Sequence, residues 1–146
     1  MTPIGLPEIE PWLLAARLAN DAVVGTWVVL CAPAGDVNRV ADDMLEQMRS
    51  LFDDPVQLVR VATTADVRDA VSSHNHAALV LVGLDRWQKQ RWERLDTMRS
   101  RLARHRPTLI VLDDESAAKL VAHAPNLWSW VAGSGWTIAH RKEAAD

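Results

Sequence analysis

The sequence predicts an α/β protein, a three-layer α/β/α sandwich around a central five-stranded parallel sheet. Three observations lead there. Five short apolar runs recur along the chain, at Trp27–Ala32, Val56–Ala62, Ala77–Val82, Pro107–Leu112 and Gly135–His140. Segments with helical periodicity separate them, which is the signature of βαβ units with crossover connections. The runs are apolar throughout rather than alternating, as strands buried on both faces must be. A chain of 146 residues fits one domain and buries roughly two-thirds of its unfolded surface, enough for an ordinary core.

Taken in order, residues 8–20 (EIEPWLLAARLAN) read as a first helix with Pro11 in its first turn, where a missing N–H costs little. WVVLCA at 27–32, between Gly25 and Pro33, reads as the first strand. Asn38–Phe52 puts Val40, Met44, Met48 and Leu51 on one face and Asp42, Asp43 and Glu46 off it, an amphipathic helix. The second strand is followed by a helix over Thr64–Ser73 with a threonine cap and Val67 and Val71 at i, i+4. The third strand, AALVLV, has the composition of a central strand. Asp85–His105 reads as one long helix with Trp87, Leu95, Met98 and Leu102 along a stripe, capped by Asp85. The fourth strand opens on Pro107, and Asp113 leads into a helix over Asp114–Ala122. A short apolar turn or helix at 124–132 precedes the fifth strand and a charged tail.

Composition narrows the function classes. No apolar run approaches the ~20 residues of a membrane span, and the N-terminal MTPIGLPEIEPW has acids where a signal peptide carries bases, so a cytoplasmic protein is expected. The lone Cys31 excludes a disulfide framework and a cysteine metal cluster within the chain. As a nucleophile it lacks any neighbour that would lower its pKa, and the core reading is preferred. Seven Trp stand beside one Phe and no Tyr, and tryptophan is over-used at interfaces as well as in cores. Residues 85–106 hold eight Lys/Arg against three Asp/Glu, a net of +5, and the remainder eight against sixteen, a net of −8. One basic face on an acidic protein gives a preferred approach to partners.

In open parallel sheets ligands bind beyond the carboxyl ends of the strands, so the loops there decide the chemistry. A phosphate-binding loop has the form GxxxxGK[ST] between a strand and a helix: glycines let backbone N–H groups wrap phosphate, Lys neutralises it and Ser/Thr holds Mg²⁺. The loop after the first strand has that context and length but reads Ala32-Pro33-Ala34-Gly35-Asp36-Val37-Asn38-Arg39. Ala32 and Val37 stand for the glycines, Asn38 for the Lys and Arg39 for the hydroxyl, and Asp36 adds a negative charge. The plain reading is a βα loop with Asp36 or Asn38 capping the next helix; the sharper one is a residual nucleotide site with Arg39 as surrogate cation. The third strand runs into Gly83-Leu84-Asp85 instead of the acid that would hold Mg²⁺. Asp113, Asp114 and Glu115 could hold a cation, but a helix N-terminus favours acids there anyway. His74-Asn75-His76 spells a nuclease triplet without its ββα context and is read as a turn. The G-x-S-x-G and G-x-G-x-x-G motifs are absent from the sequence.

The segment from Ala77 to Gly133 resembles the region after the Walker B strand of bacterial STAND-type P-loop ATPases. The likeness lies in a Leu-Asp-x-x-Arg-Ser helix (Leu95, Asp96, Arg99, Ser100), the apolar strand that follows, and Ala-Pro-Asn-Leu-Trp-Ser-Trp at 124–130. It covers roughly residues 25–140. STAND proteins are signalling switches, often in immunity or programmed death, and the resemblance implies a P-loop NTPase-like fold. With the phosphate loop degenerate and no lid or winged-helix segments within 1–146, it implies an inactive stand-alone unit. The expectation is a non-catalytic interaction or adaptor module of bacterial signalling or defence, with no catalytic residue, cofactor or metal. Its interaction surface is expected at Arg91, Trp92, Arg94 and Arg101, with Trp128 or Trp130. Its expected partners are proteins, self-association included, rather than nucleotide, nucleic acid or membrane. The alternative is a nucleotide-binding sensor without hydrolysis that uses the 33–39 loop.

Overall fold

A computed structural model describes residues 6–20, 27–131 and 135–138. It contains β1 (Glu8–Ile9), α1 (Pro11–Leu18), β2 (Trp27–Ala32), α2 (Val37–Leu51), β3 (Val56–Arg60), α3 (Thr64–Ser73) and β4 (Ala78–Val82). These are followed by α4 (Lys89–Thr97), β5 (Thr108–Asp113), α5 (Asp114–His123), α6 (Pro125–Val131) and β6 (Gly135–Ile138). Short 3₁₀ turns at Leu84–Arg86 and Arg99–Leu102 flank α4.

The strands form one sheet in the order β1-β6-β2-β5-β4-β3, and every pairing is parallel. Six strands replace the expected five. The addition comes from Glu8–Ile9, which the sequence reading placed in the first helix. Pro11 cannot donate a helical hydrogen bond, so α1 starts there and frees the two residues before Glu10 to pair with Thr137 and Ile138. The fourth apolar run (β5) lies between the first (β2) and third (β4), the order expected of a P-loop-like sheet and not of a flavodoxin-like one, in which β2 and β4 would be neighbours.

The strands bury both faces. Val28, Leu30 and Ala32 join Val80, Leu109 and Val111 under α1 and α2, where Leu14, Val40, Met44 and Met48 pack. Trp27, Val29 and Cys31 join Leu81, Ile110 and Leu112 under α3, α4, α5 and α6. The period-2 alternation of a strand thus feeds two separate cores, and the three layers follow.

The expected long helix over 85–105 is broken. Gly83 takes a left-handed conformation (φ 100°) at the head of the first 3₁₀ turn, Trp87 and Gln88 are extended, and Met98 leaves helical geometry before the second turn. α4 therefore starts at Lys89 and buries Trp92, Leu95 and Asp96 at i, i+3 and i+4. Gln88, not Asp85, stands at its N-cap. The expected strand end and charged tail beyond Ile138 lie outside the described residues.

Candidate functional site

At the carboxyl end of β2 the loop is a tight turn. The Asp36 N–H donates to the Pro33 carbonyl at 2.9 Å, and Gly35 supplies the positive φ of 91°. That amide is therefore used within the chain. Asp36 occupies the N-cap of α2 but its side chain makes no capping bond, and neither does Asn38, which accepts from Arg60 Nη1 at 3.4 Å; the capping role expected of either residue is not realised. The Asp36 carboxylate instead lies 3.3 Å from Arg39 Nη2, and Asp43 lies 3.7 Å from Arg39 Nη1. Such exposed pairs add little stability, but they compensate the one cation of the 33–39 loop. Ala32 is buried in register with Asp113, and Val37 opens α2 with its side chain in the core.

The end of β4 offers no metal ligand. A Cβ on Gly83 would lie 2.6 Å from the Val61 carbonyl oxygen, and the backbone is left-handed, so no acid fits there. Asp113, the last residue of β5, caps α5 by accepting the Ser116 N–H at 2.8 Å, and Ser116 Oγ donates to the Asp85 carbonyl at 3.1 Å. No cluster of three or more metal-ligating side chains occurs among the described residues. Burial, then Asp114 and Asp113, push the Cys31 thiol up to about 12. His74-Asn75-His76 is a turn.

The basic segment is a surface of another kind than the sequence suggested. Trp92, expected as its exposed aromatic, has 0% exposure and packs on Trp87 with ring centroids 5.2 Å apart. The restart of the helix at Lys89 turns it inward, so it cannot meet a partner. Arg91, Arg94 and Arg101 are exposed. Trp128 is half-buried against the core, and Trp130 is 43% exposed. Trp130 stacks on Trp27 at 6.4 Å, and the Trp27 indole N–H donates to the Leu102 carbonyl at 3.0 Å. One buried ring thus ties the exposed Trp130 to the residue beside Arg101. Trp92 is thus removed from the surface, whereas Trp130 stays exposed.

Two contacts escaped the sequence reading. Asp96, 8% exposed, accepts from the Leu127 N–H at 2.6 Å and from Asn126 Nδ2 at 2.9 Å. A carboxylate from α4 thereby caps the N-terminus of α6. The two stretches 95–100 and 124–130, singled out separately in the sequence, meet at this contact. Arg104 clasps the amino end of the sheet: Nη1 contacts the carbonyls of Arg106 and Pro107 and the Thr108 hydroxyl, and Nη2 donates to the carbonyls of His74 and Ala77. A basic residue in a basic stretch gave no sign of that role.

The chain resembles the P-loop NTPase domain of a sigma-54 transport activator from E. coli, with TM-score 0.51 and 18% identity over 88% of this chain and 91% of that one. The fold is P-loop NTPase-like. The ORC2 protein of Aeropyrum pernix in its ADP form matches with TM-score 0.49 and 12% identity over 92% of this chain and 49% of that one. No protein-family model matches the sequence. No curated protein matches it either. On this P-loop-like scaffold the turn closed by the Asp36 N–H follows β2, and Gly83 follows β4. No helix among the described residues is long and apolar enough to cross a membrane.

Proposed function

We propose that this protein is a non-catalytic interaction module on a degenerate STAND-type scaffold, acting in bacterial signalling or defence. It docks an acidic partner surface carrying an apolar or aromatic anchor. The observations that carry this reading are the exposure of Arg91, Arg94 and Arg101 and the link that Trp27 makes between the exposed Trp130 ring and the Leu102 carbonyl, one residue from Arg101. Over residues 85–106 the burial of Asp96 leaves Arg86, Lys89, Arg91, Arg94 and Arg101 exposed against Glu93. An aromatic flanked by arginine is the composition of a binding hot spot, and the basic face speeds encounter with acidic partners.

Two measurements test the proposal. Titration calorimetry with ATP, ADP and GTP, with and without Mg²⁺, is expected to give no saturable heat up to millimolar nucleotide; saturation would make the 33–39 loop a working site. Affinity capture and sizing then compare the parent protein with an R91E/R94E/R101E variant, with Trp130→Ala, and with Arg68→Glu on α3 as control. Complexes, self-association included, are expected to persist in the control, to be lost in the other two, and to weaken with salt. Equal capture by all four proteins would rule out this face.

A further inference from the structure

The amino-terminal ends of β4 and β5 border a cleft of about 310 Å³. Asn75, His76, Arg104, His105 and Arg106 line it, with Val71 among its apolar residues, and no carboxylate is part of the lining. The Arg104 guanidinium is half-buried, and all five of its hydrogen-bond acceptors are neutral. Its Nε is buried with no acceptor. Burial first, and Arg106 second, hold its pKa down to about 10, which still leaves it charged at neutral pH. Arg106 does have an acid, Asp54 at 2.8 Å, but Asp54 lines the neighbouring depression below α1 and α2 rather than this cleft. The five chain acceptors use its Nη hydrogens, so Arg104 lends the cleft positive charge rather than free donors. The donor groups open to a ligand are those of Asn75, His76 and His105, which are exposed in the lining. A cleft of that charge with no carboxylate suits an anion with several acceptor oxygens.

We propose that this cleft binds a compact oxyanion, inorganic phosphate or a small phosphate ester. It lies at the end of the sheet opposite the loops where α/β proteins of this kind hold ligands. Its lining shares no residue with the 33–39 loop or with Arg91, Arg94 and Arg101.

The test is amide NMR of the ¹⁵N-labelled protein, titrated with inorganic phosphate in one arm and ribose 5-phosphate in the other. Potassium chloride holds the ionic strength constant. His76 and His105 are exposed, so an H76A/H105A variant leaves the core untouched. Shifts centred on residues 74–77 and 103–106 are expected to saturate with a Kd of about 1 mM or below, and to weaken ~10-fold or more in the variant. Saturation by both probes supports the proposal, and the tighter one identifies the source of the phosphate. The Trp130→Ala variant, which leaves the charge unchanged, is expected to bind like the parent, which separates this site from the docking face. Shifts that do not saturate with either probe, or that are unchanged in H76A/H105A, would overturn the proposal and leave a general salt effect.

Discussion

Gly83 and Cys31 show how single positions close off chemistry that the surrounding fold would accommodate. Gly83 meets two constraints at once, a left-handed backbone and the Val61 carbonyl 2.6 Å from any added Cβ. Gly83→Ala is expected to cost more than ~2 kcal/mol, read as a lowered urea midpoint with unchanged m-value. A loss below ~0.5 kcal/mol would mean the turn relaxes freely. Cys31 is buried and its thiol is shifted from 9.0 to about 12. Native protein at pH 8 is therefore expected to react with a thiol reagent far more slowly than urea-unfolded protein. The unfolded thiol ionises above about pH 9 and the folded one does not until about pH 12. Above pH 9 the unfolded state binds fewer protons, so this contribution to stability is present below pH 9 and lost between pH 9 and 12. The burial of Cys31 was readable from its place in an apolar strand. The obstruction at Gly83 was not, because Val61 lies more than twenty residues away in sequence.

Among the elements, α4 shows what periodicity can hide. The stripe Trp92, Leu95, Asp96 has helical spacing, but a carboxylate at its third position reads as solvent-facing. The stripe expected from the sequence, Trp87, Leu95, Met98 and Leu102 on one long helix, leaves Trp92 outside. Only the N-terminus of α6, about thirty residues on, explains why Asp96 is buried. Replacing Asp96 by Ala leaves the Leu127 N–H without its acceptor; about 2–4 kcal/mol of stability should be lost, and Asp96→Asn should lose less because its amide oxygen still accepts. Chemical denaturation with near-ultraviolet circular dichroism of the tryptophans would measure both. Equal stability of D96A and the parent would show that α6 docks through its apolar contacts alone. Elsewhere the local chemistry was decisive: Thr63 and Asp66 form a capping box, and α3 has the expected bounds. The backbone N–H groups of Ala62 and Thr63, with a smaller contribution from Arg91, hold the Asp66 carboxyl below its usual range.

At the scale of the whole molecule, the βαβ alternation made the layered architecture legible. Two-residue β1 was not, since a pair of residues ahead of a proline carries no period. The candidate docking face was legible only in part: charge was visible as composition, exposure was not. Folding takes one acid, Asp96, out of the basic segment and Trp92 out of the surface, while it stacks Trp130 on Trp27, whose indole N–H reaches the Leu102 carbonyl. Affinity at this face is therefore expected to fall with salt in proportion to the exposed arginines engaged, while the apolar contribution of Trp130 persists. That pattern is measured by repeating the capture at increasing chloride.

The strand order also sets a timetable for synthesis. β2 pairs only with β5 and β6, both made much later, and β4 cannot reach β2 until β5 lies between them. While β3 and β4 can join as soon as they emerge, WVVLCA waits with both edges open. At ~5–20 residues per second the interval from Ala32 to Asp113 lasts roughly 4–16 s. An uncharged apolar strand left unpaired for that long is an aggregation hazard. Ribosome-associated holding factors are thus expected to bind this chain most strongly before Thr108 emerges.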